Sequence, residues 1–313
     1  MMGPDAFCCS SGNGHGAPPN HKEIVMDYVI AGVSGHTGKV AAETLLAAGQ
    51  KVRVVVRDAS KGEPWKAKGA DVAIADLGDA DALAKALSGA KGAYLLLPPN
   101  MAAPDFAAYQ KTTGEAIVKA VAASKVPHVV FLSSVGAQHA AGTGPIKAIH
   151  PVESALRALS GTVTTFVRAA YFMENLGGSL GALDKGILPT FMRTDLAFEM
   201  IATKDIGTTA ASALREGATK TSIIELAAQK KYSMDDAAAA ISTIIGKPIK
   251  AHNAGIDALV PTLTGFGFTP SLAELYREMT AGIEAGHVAF EGTHRTVRGP
   301  TDLETVLRGL LGK

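Results

Sequence analysis

The sequence predicts an α/β fold, a doubly wound parallel sheet followed by a smaller, mostly helical C-terminal region. Three observations predict it. From Met26 onward, short and nearly all-apolar runs alternate with longer amphipathic segments, the pattern of parallel strands covered by helices on both faces. A glycine-rich turn, Gly32-Val33-Ser34-Gly35-His36-Thr37-Gly38, separates the first apolar run from the first amphipathic one. The chain of 313 residues is 47% hydrophobic, with 34 Gly but only 5% aromatic residues, which suits a large core of closely packed helices and sheet.

The elements follow in order. DYVIA reads as the first strand, and a helix runs from about Thr37 to Ala48. KVRVVV is the second strand, with a helix near Ser60 to Lys68; DVAIA is the third, with a helix around Asp79 to Leu87. GAYLLL, a long helix from about Pro104 to Ala123, and HVVFLSS continue the alternation, and a helix near Lys147 to Leu159 leads into a sixth strand, TVTTFVR. Beyond about Asn175 the regularity weakens, leaving helices at Asp205 to Leu214, Ser233 to Ile245, Ser271 to Glu284 and Asp302 to Leu311. Residues 1–22 lack apolar periodicity and read as a disordered tail, residues 23–175 as a dinucleotide-binding domain, and residues 176–313 as a smaller α/β region that partly shares the sheet and shapes the substrate site.

Composition excludes several classes of function. With 30 Lys+Arg against 29 Asp+Glu the chain has no broad cationic field, so neither nucleic acid nor an anionic membrane is expected as its partner. The two cysteines, Cys8 and Cys9, are adjacent and lie in the tail, so they build neither a disulfide framework nor a metal site. No H-E-x-x-H occurs, His139 and His150 are too far apart to form a helical pair, and no metal is assigned. Ser34 and Ser133-Ser134 lack the G-x-S-x-G frame of a hydrolase nucleophile. The tail carries no secretory signal, and no apolar run reaches the roughly 18–20 residues that span a bilayer, so a cytoplasmic location is expected.

The glycine turn carries the sharpest chemistry. Glycines between a strand and a helix let the backbone turn tightly and approach a pyrophosphate, which the free N–H groups and the positive helix end stabilise. Val40 stands where a phosphate-loop NTPase needs Ser or Thr after the Lys. Nineteen residues past Gly38, at the end of the second strand, stands Arg57 rather than an acid. A guanidinium there offers a fork of donors to the 2′-phosphate of NADP, with Lys61 as a second positive charge. Asp58 competes for the Arg or for the ribose, and the alternative for Arg57 is a solvated strand-end charge. Asp76, followed by Leu77, ends the third strand near the expected adenine, or else caps the next helix. Leu97-Pro98 and Ser133-Ser134 follow the fourth and fifth strands, at the edge where open α/β sheets bind ligands. The cofactor set is therefore Gly32, Ser34, Gly35, His36, Thr37, Gly38, Arg57, Lys61, Asp76, Leu77, Leu97, Pro98, Ser133, Ser134 and His150, and the cofactor NADPH rather than NADH.

GVSGHTG, VVVRD, ADLGDADALAKAL, HVVFLSSVGA and HPVESALRALSGTVTTFVRAAYFMENL together resemble the NmrA-like, atypical members of the short-chain dehydrogenase/reductase superfamily, over about Met26 to Leu180. His150, Glu153, Arg168 and Asn175 stand at the positions of that family's pattern. The resemblance implies a Rossmann-type domain and is nearest to NADPH-dependent quinone reductases and to nitrogen-regulator or redox-sensor proteins. The superfamily's Tyr-x-x-x-Lys is missing, and His150 stands where the benzylic ether and isoflavone reductase branch has a Lys.

His150, Lys147 one helical turn earlier, and Tyr171 are the candidate catalytic residues. As an imidazole, His150 suits a proton donor, though it could equally orient the nicotinamide ribose or pack at a helix start. Tyr171 and Phe172 could stack on a planar acceptor, and Glu153 with Arg168 reads as a structural ion pair. Two functions are compatible with these residues. One is an NADPH-dependent oxidoreductase acting on a quinone-like or small carbonyl acceptor, whose reduced product needs little acid catalysis. The other is a non-catalytic NADP(H) sensor of the regulator type. A small-molecule acceptor is the expected partner, and a homodimer is an open assembly.

Overall fold

The computed structural model describes residues 26–313; the expected tail at 1–22, with both cysteines, lies outside the described residues. Each apolar run becomes a strand and each amphipathic segment a helix: β1 (Tyr28–Ile30), α1 (His36–Ala47), β2 (Val52–Val56), α2 (Ala59–Ala67), β3 (Asp71–Ile74), α3 (Ala80–Leu87), β4 (Gly92–Leu96), α4 (Phe106–Ser124), β5 (His128–Ser134), α5 (Ile149–Arg157) and β6 (Val163–Ala169). The chain continues through β7 (Tyr171–Phe172), β8 (Ile187–Thr190), β9 (Met200–Ile201), α6 (Thr203–Glu216), β10 (Ser222–Ala228), α7 (Met234–Ile245), β11 (Lys250–Asn253), α8 (Leu259–Gly265), α9 (Pro270–Glu284), β12 (Arg295–Gly299) and α10 (Leu303–Leu311).

Eight strands form one sheet in the order β12-β10-β6-β5-β4-β1-β2-β3, with every neighbouring pair parallel. The chain winds outward from β1 to β3 and then returns to start β4 on the other side of β1, so β1 and β4 flank the switch point. Alternate residues of each strand feed opposite cores. Ile30 and Val54 pack with Leu45 and Ile206 of α1 and α6 on one face, while Val29 and Leu95 pack with Leu83, Ile117 and Leu156 of α3, α4 and α5 on the other. Burial on both faces is why these strands read as unbroken apolar runs. A third cluster, around Met173, Met200, Ile241 and Leu307, gathers the C-terminal elements.

Two strands of the sheet escape the sequence pattern. In β10 the apolar run SIIELAA is broken by Glu225, which is only 1% exposed and accepts the Gly292 N–H. In β12 the sequence RTVRG is polar because the strand lies at the sheet's edge, where charge discourages further pairing. The helix expected from Lys147 begins at Ile149 instead. A 3₁₀ turn, Gly144–Ala148, precedes it, opened by Gly144 at φ +61° and Pro145. No helix among the described residues is long and apolar enough to cross a membrane.

His128, at the start of β5, is buried with its Nε2 3.0 Å from Thr165 Oγ1, and burial holds its pKa below the usual 6.5. The unfolded chain therefore binds a proton that the folded chain refuses. This contribution to stability is complete above the usual pKa and shrinks as pH falls through the depressed one. We expect the melting temperature to fall between about pH 7 and about pH 5, and His128→Gln to flatten part of that slope. Parallel slopes for the two proteins would show that His128 does not carry it.

Candidate active site

Because every strand of the sheet is parallel, every βα loop emerges along one edge. Read across that edge from β3 to β6, the loops carry Asp76, Arg57, the turn Gly32 to Gly38, Leu97-Pro98, Ser133-Ser134 and Ala170-Tyr171. Apart from Lys61 on α2 and His150 on α5, the sequence-predicted cofactor residues thus lie in one row along this edge, with the glycine turn at the switch point in its middle.

Gly32 adopts φ +70°, and a Cβ on Gly38 would lie 2.5 Å from the Gly32 carbonyl oxygen, so side chains are excluded where the turn doubles back on α1. The helix opens at Gly35 with no side-chain cap and no acid in its first turn. Ser34, Gly35 and His36 are exposed, so the unsatisfied N–H groups and positive helix end face outward. Thr37 points inward and accepts the Tyr94 hydroxyl at 2.9 Å, fixing the turn to β4. An open, positive and glycine-narrowed helix start fits a pyrophosphate.

At the end of β2 the competing roles separate. The Asp58 carboxylate caps α2 by accepting the Ser60 N–H at 2.8 Å, a bond that lowers its pKa. Arg57 is exposed and makes no ion pair among the described residues, and Lys61 follows on the first turn of α2. The cap of α3 is Asp79, which accepts from Asp81 and Ala82; Asp76 instead closes its own turn onto the Gly78 N–H at 2.7 Å, beside the half-buried Leu77. Past β4, Leu97 is buried, and the Pro98 carbonyl accepts from Gln110 of α4 at 2.8 Å, which pins that loop.

The other half of the edge is organised around a buried charge. Ser133, Arg168 and Glu225 lie in register on β5, β6 and β10, each under 5% exposed. Arg168 gives Nε and Nη2 to the two Glu153 oxygens at 3.0 and 2.8 Å, and Ser133 donates to the same carboxylate. Its Nη1 reaches Glu291 in the loop before β12. Burial alone would lower the Arg168 pKa, but Glu153 and Glu291 together hold it above its ordinary value. The expected ion pair is present, and Ser133 is committed to it, leaving Ser134 open to the edge.

Beside Ser134 lies a cavity of about 580 Å³, lined by Val135, Ala170, Tyr171 and Asn175 from the sheet edge and by Phe198, Lys231, Tyr276, Val288 and Phe290 from the C-terminal region. Tyr171 meets Phe198 edge to face, with centroids 5.4 Å apart, rather than pairing with Phe172. Burial raises the Tyr171 pKa to about 12, opposed by its hydrogen bond with Asn175, so the phenol is neutral. Of the three candidate catalytic residues only Tyr171 lines this cavity. Lys147 lines a separate groove between α4 and α5, with its ammonium 3.1 Å from Glu278. The His150 Nδ1 lies 3.0 Å from the Ala137 carbonyl, so it donates there and anchors the loop after β5. Sequence reasoning missed Phe198, Phe290 and Glu291, which come from irregular segments without a motif, and Tyr276, which lies on the expected helix α9 but carries no signal that it faces a cavity.

Residues 26–289 match the sequence pattern of the NmrA-like family. The chain is 26% identical to an NAD(P)H azoreductase of Xenophilus azovorans over 258 residues, 81% of this chain and 86% of that one. It is 25% identical to quinone oxidoreductase 2 of Escherichia coli over 262 residues, 82% and 88% of the respective chains. Its fold superimposes on the triphenylmethane reductase of Citrobacter sp. complexed with NADP(H) with a TM-score of 0.78 at 18% identity, covering 91% of this chain and 100% of that one. For an NADPH-dependent quinone oxidoreductase from Escherichia coli the TM-score is 0.74 at 22% identity, covering 91% and 99%. The glycine turn, the eight-stranded parallel sheet and a sequence match spanning most of the chain agree: this protein belongs to the NmrA-like family.

Proposed function

We propose that this protein is an NADPH-dependent oxidoreductase that reduces a quinone-like or other small planar acceptor held in the cavity beside Ser134 and Tyr171. The observation that carries the reading is the continuity of the carboxyl edge, which runs from an unpaired Arg57, through a glycine-narrowed helix start, to an aromatic-walled cavity beyond β5 and β6. That order matches an elongated dinucleotide with its 2′-phosphate at one end and its reactive ring at the other. The azoreductase and quinone oxidoreductase relatives support it, since both reduce conjugated acceptors by their descriptions. The relatives and structural neighbours reported above are described as reductases or oxidoreductases, and the regulator reading is not carried forward.

The bound nicotinamide would supply the hydride. The chain's part is binding, orientation and electrostatics. The α1 N–H groups take the pyrophosphate, and Arg57 with Lys61 takes the 2′-phosphate. Asp76 keeps one carboxylate oxygen for the adenine amine, and Leu97 and Pro98 form a wall along the cofactor. Tyr171 acts as a hydrogen-bond donor to the acceptor oxygen that becomes anionic, rather than as an acid. A phenol with a pKa near 12 does not surrender its proton to a hydroquinonate, whose conjugate acid is the stronger acid. The proton that completes the hydroquinone comes from water through the open cavity. We assign His150 to holding the Ser134–Ala137 loop and Lys147 to the Glu278 pair.

Purified protein with NADPH and a panel of quinones and azo compounds should show acceptor-dependent loss of nicotinamide absorbance; measurable NADPH binding with no turnover across the panel would refute the enzyme reading. Arg57→Ala should weaken NADPH roughly 10- to 100-fold and NADH far less, as titrations with each cofactor will read. Equal weakening of the two would remove the 2′-phosphate role. For Tyr171→Phe we expect kcat/KM for the acceptor to fall roughly tenfold with NADPH affinity retained, whereas an unaltered kcat/KM would reduce Tyr171 to cavity wall.

A further inference from the structure

The segment from Gly286 to His294 links α9 to β12 and crosses the carboxyl ends of β5, β6 and β10. It has two sides of different chemistry. Gly286, Val288, Ala289 and Phe290 line the cavity. The remaining contacts are polar anchors to the sheet edge. Gln138 donates to the Ala289 carbonyl at 2.8 Å, Glu225 accepts the Gly292 N–H at 3.1 Å, and Glu291 takes the third arm of Arg168 while His294 lies 3.0 Å from the same carboxylate oxygen. The His287 ring stacks on His139 with centroids 4.0 Å apart.

The segment is thus a strap with no regular structure between α9 and β12: backbone bonds from His287 and Val288 to the Gly282 carbonyl hold its start, and side-chain anchors hold it over the cavity from Ala289 onward. The central anchor is Arg168, which is buried like Glu225 but is the charged partner of the strap and is already immobilised by two bonds to Glu153. A guanidinium fixed in this way presents Nη1 in one direction only, so the carboxylate that meets it is fixed as well. Burial pushes the Glu291 pKa up, but Arg168 and His294 hold it below the usual carboxylate value, so the anchor stays charged at neutral pH. Phe290 immediately precedes Glu291, so the depth to which its ring enters the cavity is set by where that carboxylate is held.

From this geometry we propose that Glu291 is a positioning residue for the acceptor: through Arg168 it fixes the strap Gly286–His294 as the outer wall of the cavity and so sets the size of planar acceptor that the site admits. The proposal rests on the reading of this cavity as the acceptor site. It separates acceptor selection from cofactor binding, since the strap touches β5, β6 and β10 whereas the glycine turn and Arg57 lie at β1 and β2.

The test compares the full-length protein with Glu291→Gln and Phe290→Ala, the second widening the cavity without touching Arg168. Steady-state kinetics with a monocyclic benzoquinone and a bicyclic naphthoquinone, NADPH titration, and hydrogen exchange are measured on each. We expect both variants to raise KM for the small quinone about tenfold, to leave KM for the larger one equal or lower, and to keep NADPH affinity. Only Glu291→Gln should also speed exchange across residues 286–294. Unchanged size preference in both variants, or NADPH affinity falling as steeply as the small-quinone kcat/KM, would overturn the proposal. Exchange at 286–294 unaffected by Glu291→Gln would overturn the clamp even if selectivity moved. Failure of the oxidoreductase reading looks different: the unmodified protein would bind NADPH and reduce neither quinone, while the exchange comparison would still judge the clamp.

Discussion

A guanidinium on a central strand of a buried sheet must be fully paired, because moving an ion out of water costs several kcal/mol even after the protein relaxes. Arg168, 4% exposed, meets that condition with two bonds to Glu153 of α5 and a third contact to Glu291 before β12. Ser133 of β5 completes the Glu153 shell. One charge on β6 therefore ties together α5 and the distant segment before β12 directly, and β5 through its serine. Loss of the Glu153 carboxylate would leave a buried charge short of partners, at a cost of about 3–5 kcal/mol; Glu291 is partly exposed, so water can screen its loss and the cost there is smaller. The half of the carboxyl edge that faces the cavity depends on this arrangement more than on any ladder hydrogen bond.

The other half depends on backbone. At β1 and β2 the structure offers N–H groups, a helix end and one solvent-exposed guanidinium, with glycines keeping side chains out. Net charge is only +1, so attraction for a polyanionic cofactor is local to this half of the edge. The two halves meet at the loops after β4 and β5, where Gln110 holds the Pro98 carbonyl and His150 holds Ala137. On the proposed reading, a cofactor site built largely of backbone and an acceptor site built of side chains could change independently, which would suit relatives described as reducing different compounds.

Six of the eight sheet strands, the glycine turn and the strand-end Arg57 were legible because each is a local pattern: a buried run, a turn between strand and helix, a fixed spacing. Reading failed where tertiary contacts overrode local signals. β10 went unread, since a lone carboxylate, Glu225, in an apolar run gives no hint that Gly292 will satisfy it. Asp76 and Asp79 are three residues apart and both suited to capping, and only the backbone path of the turn assigned the cap to Asp79. Lys147 and His150 sit on adjacent turns, yet the 3₁₀ turn at Gly144 directs Lys147 toward Glu278 and a different groove.

By itself the sequence determined the fold class and the glycine turn, which follow from periodicity and a short motif acting over one βαβ unit, and it carried the resemblance to the NmrA-like family in motifs spread from about Met26 to Leu180. The tertiary structure alone decided which candidate faces the cavity, that Tyr171 does and Lys147 and His150 do not, and which distant residues close it. Phe198 reaches the cavity through its bridge to Tyr232, Tyr276 on α9, and Phe290 next to the carboxylate that meets Arg168, and no local pattern encodes where a charge on one strand will find a partner more than a hundred residues later.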